Sequence, residues 1–324
     1  MNRIWWQGDY ETIQDEVGTV ELPAWTRVEL RGADRIRLLD ALGTNRVNGL
    51  APGQGCETFF TDVKGHIVAH GLLLIAEDST TFLTAAPRGD SIVAHFNRYI
   101  VREDVEVADR SIQTAVWYLG GRQADVFLED AGIPVPALPC EHVASTLDGA
   151  PLTVCRVEMA GPVGFLLIAS RAYARAVAQS LGKRGARACT REAFESARIE
   201  WGWPLDRIDI SADNFPQEVG RDDEAISFTK GCYLGQETVA RISSRGHVNK
   251  RLTVVRFPTA VTADATLYAD KEPIGKTTSA GYSVKSRCPI ALAYVRREWA
   301  EPGTVVESTI GPAEVTSAQN SLPR

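Results

Sequence analysis

The sequence has no apolar run approaching the roughly 18 residues of a membrane-crossing helix. Its opening residues, Met1-Asn2-Arg3-Ile4-Trp5-Trp6-Gln7-Gly8-Asp9, turn acidic at once and lack the ~7–15 apolar residues at the heart of a secretion signal. No export signal is therefore expected, and the cytoplasm is the expected compartment. Cysteine is sparse and scattered: Cys56, Cys140, Cys155, Cys189, Cys232 and Cys288 never form a C-x-x-C pair. A disulfide framework is not expected in a chain of this length without a signal peptide. Five of these thiols read as small buried apolar residues; Cys232 stands apart because of its neighbours. An excess of positive charge is also missing. The net charge of −6 argues against a general nucleic-acid binder. No P-loop, H-E-x-x-H, G-x-S-x-G or strand-linked G-x-G-x-x-G is present.

What is present is an ordinary globular composition. At 324 residues, with 44% hydrophobic, the chain can bury a sizeable core divided among two or three domains. Alternation predicts a strand at 25–30, and strand-like runs follow at 57–61, 66–76, 80–86 and 105–108. Between them, Ile36, Leu39 and Leu42 share one helical face, and a second helix after Pro87 carries Ile92, Val93, Phe96, Tyr99 and Ile100. A similar cycle follows: strands at 112–119, 152–157 and 163–169, a weak helix at 121–131, and a helix at 171–181 stopped by Gly182. Residues 133–139, with three prolines, read as a loop. The order suggests split βαβ units with one covered antiparallel sheet each, an α+β pattern. Thr190 is a candidate N-cap for a helix ending near Trp201-Gly202. After Lys250 strands and turns dominate, which predicts a small all-β module. The expected division is residues 1–246 and 247–324, with the two N-terminal lobes interleaved.

Three stretches could carry chemistry. Arg198 and Glu200 lie two apart and so point to different sides of their helix. A carboxylate at a helix C-terminus opposes the macrodipole, so Glu200 is either a surface ion pair or kept for a ligand with a two-donor edge. The segment Lys230-Gly231-Cys232-Tyr233-Leu234-Gly235-Gln236-Glu237 has two glycines that let the backbone pass close to something, and Gln236–Arg241 is helix-compatible. If Lys230 lay beside Cys232 in space it would lower the thiol's pKa; the alternative is a tight turn with a buried cysteine and a solvated lysine. The run 241–256 carries Arg241, Arg245, Lys250, Arg251 and Arg256 plus His247 and no acid, either an anion- or RNA-binding patch or a solvated linker balanced by Glu218, Asp222, Asp223 and Glu224. His66 and His70, four apart on one strand, do not make a metal site by themselves, and no metal is expected.

Taken in order, Arg198-x-Glu200-x-Gly202-x-Pro204, Asp209-Ile210, Phe215-Pro216-Gln217-Glu218 and Ser227-Phe228-Thr229-Lys230-Gly231-Cys232-Tyr233-x-Gly235-Gln236-Glu237-x-Val239-Ala240-Arg241 resemble the YgfZ family of folate-binding proteins. Leu50-Ala51-Pro52-Gly53 and Asp62-Val63-Lys64-Gly65 extend the resemblance to the N-terminal region. The wider superfamily contains the aminomethyltransferase, or T-protein, of glycine cleavage. The resemblance implies a three-lobed cloverleaf: two ferredoxin-like split βαβ lobes plus a C-terminal small β-barrel around a folate channel. It implies tetrahydrofolate or a derivative as cofactor. Glu200 would hold the pterin, with Arg198, Tyr233, Gln236, Glu237 and Arg241 as further binding residues, and Cys232 and Lys230 would be the reactive pair. It further implies a role in iron–sulfur cluster assembly or repair, with cluster-assembly proteins or client enzymes as partners and no membrane. The T-protein's acidic pair after its Gly-Gly-Ile segment falls here on Ala69 and His70, so the catalytic carboxylate is expected to be missing. Aminomethyl transfer or demethylation, and RNA binding through 241–256 as in tRNA-modifying relatives, stand as alternatives.

Overall fold

A computed structural model describes residues 4–246 and 248–319. His247 and the side chain of Arg245, both counted in the basic run, lie outside the described residues, as do 1–3 and 320–324. The chain starts one lobe with α1 (Gln7–Asp15) and β1 (Gly18–Glu21) and then leaves it. It builds a second lobe from β2 (Thr26–Arg31), α2 (Arg35–Leu42), β3 (Gly55–Thr61), β4 (Ile67–Ile75), β5 (Ser79–Thr84), α3 (Gly89–Asn97) and β6 (Glu106–Asp109). It then returns to the first lobe with β7 (Thr114–Gly120), α4 (Ala124–Asp130), β8 (His142–Leu147), β9 (Ala150–Arg156), β10 (Gly164–Ser170), α5 (Ala174–Lys183), β11 (Arg187–Ala188) and α6 (Arg191–Trp201). A connector with α7 (Pro216–Val219), α8 (Asp222–Ala225) and α9 (Gln236–Arg245) leads to a closed barrel. Its strands are β12 (Lys250–Arg256), β13 (Thr266–Ala269), β14 (Glu272–Ser283), β15 (Cys288–Arg296), β16 (Val305–Ser308) and β17 (Gly311–Thr316). The result is the expected α+β cloverleaf of two sheet lobes and a barrel. Among the described residues no helix is long and apolar enough to cross a membrane.

The two sheet lobes repeat one strand order. One runs β3-β4-β5-β2-β6 and the other β8-β9-β10-β7-β1-β11, so β1 is the single strand added by the early N-terminal segment. Each sheet buries both faces. On β4, Leu73 and Ile75 join Phe60, Phe82 and Phe96 beneath α2 and α3, while Leu72 and Leu74 turn to a central cluster. On β7, Trp117 and Leu119 pack towards α4 and α5, while Val116 and Tyr118 turn to that same centre. Side chains alternate along a strand, so a strand covered on both sides reads as an unbroken apolar run. This is why His70-Gly71-Leu72-Leu73-Leu74-Ile75 shows no alternation. The centre also takes Tyr10 and Ile13 of α1 and Phe194 and Ala197 of α6.

Two local expectations need correction. The helix expected to stop at Gly182 runs through it to Lys183, because one glycine lowers helix propensity without preventing the backbone geometry. Thr190 does precede α6 in an extended conformation, but its hydroxyl makes no cap and is buried without a partner. Its N–H instead donates to Asp9 Oδ2 at 2.9 Å.

Phe60, fully buried, meets the ring edges of Phe82 and Phe96 at centroid distances of 5.0 and 4.8 Å. Replacing it with alanine should lower the unfolding free energy by about 3–5 kcal/mol, measured by urea titration. A loss under about 1 kcal/mol would mean that this cluster does not hold the lobe together.

Candidate functional site

The site is organised by α6. Its inward face, Ala193, Phe194 and Ala197, fixes the helix against the centre, and Ser196 Oγ donates to Tyr282 O of β14 at 2.6 Å. Gly202, at φ 81°, ends the helix in a left-handed turn that a glycine enters without steric cost. The last helical turn thus presents Arg198 and Glu200 in different directions, as their spacing requires.

Arg198 is 1% exposed. Its guanidinium donates to Glu195 Oε2 (2.8 Å), Asp209 Oδ2 (3.0 Å), Trp203 O (3.2 Å) and Ser279 Oγ (2.7 Å). Burial opposes its charge, but Asp209 and Glu195 outweigh this and hold its pKa above the ordinary value. Asp209 also accepts from Leu205 N at 2.9 Å and from the Thr278 and Ser279 hydroxyls at 2.5 and 2.6 Å. Arg198 therefore ties α6, the 203–210 loop and the barrel together.

Glu200 is buried and accepts from four donors. These are Tyr10 OH, Ser283 Oγ at 2.5 Å, Gln319 Nε2 at 3.1 Å and, more weakly, Lys285 N at 3.4 Å. Burial and the Glu200 carboxylate beside it push the Tyr10 phenol well above its usual pKa. Neither alternative expected for Glu200 is simply met: it is not a surface ion pair, and its donors in this structure are protein groups from α1, the end of β14, the turn after it and the C-terminal tail.

The octapeptide folds against the lobe of β2–β6. The Lys230 ammonium donates to the carbonyls of Asp40 (2.5 Å), Gly43 (2.9 Å) and Asn45 (2.8 Å), with Asp40 Oδ1 at 3.5 Å. All three of its protons are committed to the C-terminus of α2 and the turn after it. Burial draws its pKa down, against Asp40. The solvated lysine of the alternative reading is thus replaced by a buried one, and Cys232 is exposed rather than buried. Gly235, at φ 80°, packs so closely that a Cβ there would lie 2.6 Å from Asp62 O. Tyr233 is buried, its ring 5.3 Å from the Lys230 ammonium and its phenol pushed up to about 12 by burial. Gln236 and Glu237 open α9, and Arg241 is exposed a turn later. None of these residues is among the hydrogen-bond partners of Glu200 described above, so the sequence candidates fall into three separate places: Arg198 at the barrel seam, Glu200 beneath the tail, and residues 230–241 on the second lobe and α9. The basic run is likewise divided. Lys250 lies over the Tyr294 ring at 5.0 Å and 3.6 Å from Glu218 Oε2, while Arg251 is exposed.

Between the two sheets lies a cavity of about 340 Å³ lined in part by Glu57, Arg156, Trp201, Trp203 and Arg221. Here the sequence reading missed a group. Ala69 turns into the core, but His70 Nε2 lies 2.7 Å from Glu57 Oε1, its diagonal neighbour across β3 and β4. Arg221 donates two bonds to Glu57, at 2.9 and 2.6 Å, with its guanidinium 4.5 Å from the Trp203 ring. A carboxylate therefore does stand beside the Ala69–His70 position, supplied by the neighbouring strand. Burial would raise its pKa, but Arg221 and His70 hold it at about 2. A base so weak and so firmly paired is badly matched to proton abstraction near neutral pH. The available signal was a lone charge in the otherwise uncharged stretch Gly55-Cys56-Glu57-Thr58-Phe59-Phe60. His66 parts from His70 and stacks on Phe215 at 4.6 Å. No group of three or more potential His, Cys, Asp or Glu metal ligands occurs among the described residues. A second cavity, of about 380 Å³, is lined in part by Tyr10, Arg122, Trp201, Lys285 and Gln319, so Trp201 borders both.

The model of the GCVT N-terminal domain matches residues 3–229, and that of the glycine cleavage T-protein C-terminal barrel domain matches 250–321. A chloroplastic candidate transferase of Arabidopsis thaliana is 28% identical over 307 residues, 93% of this chain and 70% of that protein. The tRNA-modifying protein YgfZ of Yersinia pseudotuberculosis is 28% identical over 234 residues, 72% of this chain and 68% of that one. Among solved structures, the glycine cleavage system aminomethyltransferase of Bartonella henselae has the same fold. It matches with a TM-score of 0.86 at 20% identity, covering 97% of this chain and 89% of that one.

Because the pKa of Glu57 is depressed on folding, its ionised form stabilises the protein above its ordinary pKa of 4.5, and that contribution is lost as pH falls through about 2. The stability difference between the wild type and Glu57→Gln should be flat above pH ~5 and shrink steadily below it, followed by urea unfolding. A difference that does not change with pH would show that the Glu57–Arg221 pairing does not set the titration.

Proposed function

The chain belongs to the glycine cleavage T-protein family, and from that membership we propose that it binds tetrahydrofolate or a derivative at its centre and acts, like a YgfZ-type protein, in iron–sulfur cluster maintenance. The observation that carries the folate reading is the central cavity itself. Trp201 and Trp203 offer flat walls for a conjugated ring, and Trp201 also borders the second cavity, whose lining residues Tyr10 and Gln319 donate to Glu200. The donor edge of a pterin would take the place that the Gln319 carboxamide now holds on Glu200, so binding requires the tail to yield. Aminomethyl transfer is the weaker reading, because Glu57, the nearest carboxylate to the expected catalytic position, is held by Arg221.

Titration of the whole protein with tetrahydrofolate should be saturable. It should weaken by tenfold or more in Glu200→Ala and tighten in Gln319→Ala, where a competing donor is gone. Absence of saturable binding would sink the folate reading. Unchanged affinity in Glu200→Ala would remove Glu200 from the site.

The second half of the proposal rests on Cys232, the one exposed cysteine of the six. Its exposure suits exchange with another protein. A single thiolate is short of the four or so ligands an iron–sulfur cluster usually takes, so a partner would supply the others. In a strain lacking the gene, Cys232→Ser should fail to restore iron–sulfur enzyme activity. Full restoration by that variant would leave the thiol without an essential role.

A further inference from the structure

A third cavity, of about 270 Å³, lies between the two sheets and shares no lining residue with either cavity described above. Strand register builds its walls. On one sheet Leu74 of β4 stands opposite Thr81 of β5, and Thr81 opposite Glu29 of β2. Arg27 and Arg31, two residues to either side of Glu29, share that face. On the other sheet Ile168 of β10, Thr153 of β9 and Ala144 of β8 stand side by side. Elsewhere these two faces meet through Leu72, Leu83, Val116 and Leu166. Here a guanidinium and hydroxyls replace the aliphatic side chains that would close the seam.

Arg27 lines the cavity with a side chain that is 29% exposed. Among the described residues its guanidinium makes one hydrogen bond, from Nη2 to Glu29 Oε2 at 3.5 Å, the outer limit for such a contact. Glu29 is already met at shorter range by Arg31 Nε at 3.1 Å and Arg110 Nε at 3.4 Å. Asp78 and Glu106 also act on Arg31, whereas Glu29 is the acid that acts on Arg27. Three half-buried hydroxyls, of Ser79, Thr81 and Thr153, line the same space, and none makes a hydrogen bond among the described residues. A guanidinium carries five donors in a fork that suits a carboxylate, and one this enclosed needs acceptors.

From this convergence of an under-partnered guanidinium and three unengaged hydroxyls on an aliphatic cavity, we infer that the seam between the sheets holds a binding site for a small aliphatic monocarboxylate. The carboxylate oxygens take the Arg27 guanidinium side by side and the hydroxyls beside it, and the hydrocarbon body lies on Pro52, Leu74 and Ile168. Glu77, on the turn between β4 and β5, also lines the cavity and disfavours a doubly charged anion such as phosphate. The site is independent of the folate reading.

The test is calorimetric titration of the whole protein with sodium hexanoate, beside methyl NMR of Ile168 and Leu74 in the wild type. The expected result is saturable binding that shifts both residues' methyl signals with one affinity. Binding should be about tenfold weaker or more for 1-hexanol and for inorganic phosphate, and should fall by about the same factor in Arg27→Gln. Thr153→Trp, which fills the cavity from the opposite sheet and leaves every cation in place, should abolish it. Heats that never saturate, methyl signals that do not move, equal binding of hexanol or phosphate, or unchanged affinity in either variant would overturn the proposal. The wild-type methyl shifts decide the matter should a variant fold poorly.

Discussion

A guanidinium that is 1% exposed cannot be left without partners, and the way Arg198 is satisfied sets much of the molecule. Its donors reach Glu195 on its own helix, the Trp203 carbonyl beyond the helix end, Asp209 in the following loop and Ser279 in the barrel. Removing a partner would strand a charge in the interior, a change that typically costs about 3–5 kcal/mol. The network therefore fixes the barrel relative to α6, which carries Glu200 and also Trp201, a residue that borders both cavities. A residue that the resemblance marks as ligand-binding is engaged, in this structure, in holding the site in place.

Lys230 has a similar role for the second lobe. The carbonyls near the end of α2 need donors, and a buried ammonium with three protons meets three of them at once. The same loop is fastened by Leu234 N to Ala41 O at 3.0 Å and by Ser227 N to Thr44 O at 3.0 Å. Once Lys230 points inward, the glycine after it and the exposure of Cys232 follow from a turn that must reverse at the surface. The octapeptide is thus a clamp that displays a thiol, and the ammonium close in sequence to that thiol acts instead on Cys56. Burial pushes the Cys56 thiol up to about 12, with Lys230 opposing the shift.

What could be read from the sequence was what lies close together in the chain. Most strands of the two lobes, the end of α6 at Gly202 and the strand-rich C-terminal barrel follow from local periodicity and turn chemistry, whereas β1, β8 and β11 were not read from it. The divergence of Arg198 and Glu200 followed from helical spacing alone. What could not be read depends on pairings across long stretches of chain. Glu57 meets Arg221 over 164 residues, and Tyr10 meets Glu200 over 190. The lobes were expected to interleave, but the point at which one enters the other, after β1, leaves no mark in composition. The lone Glu57 in its strand was a visible anomaly, but only the fold shows that it stands beside His70, where the family resemblance had implied an empty place.

The repeated strand order gives these long-range pairings a common cause. Two sheets of one topology each offer a second apolar face, and those faces meet at the centre with α1 and α6 filling the gap between them. Neither face is continuous, because Glu57 on one sheet and Arg156 on the other bring charge to the seam. Arg221, arriving from the connector, neutralises Glu57 and lies against Trp203; without it the seam would hold a buried anion beside the His70 ring. The cavity persists because tryptophan rings and paired charges line it where aliphatic side chains would otherwise close the packing. The centre of this fold is therefore kept open by the same ion pair that keeps Glu57 from serving as a base, which favours a site that holds a ligand over one that takes a proton from it.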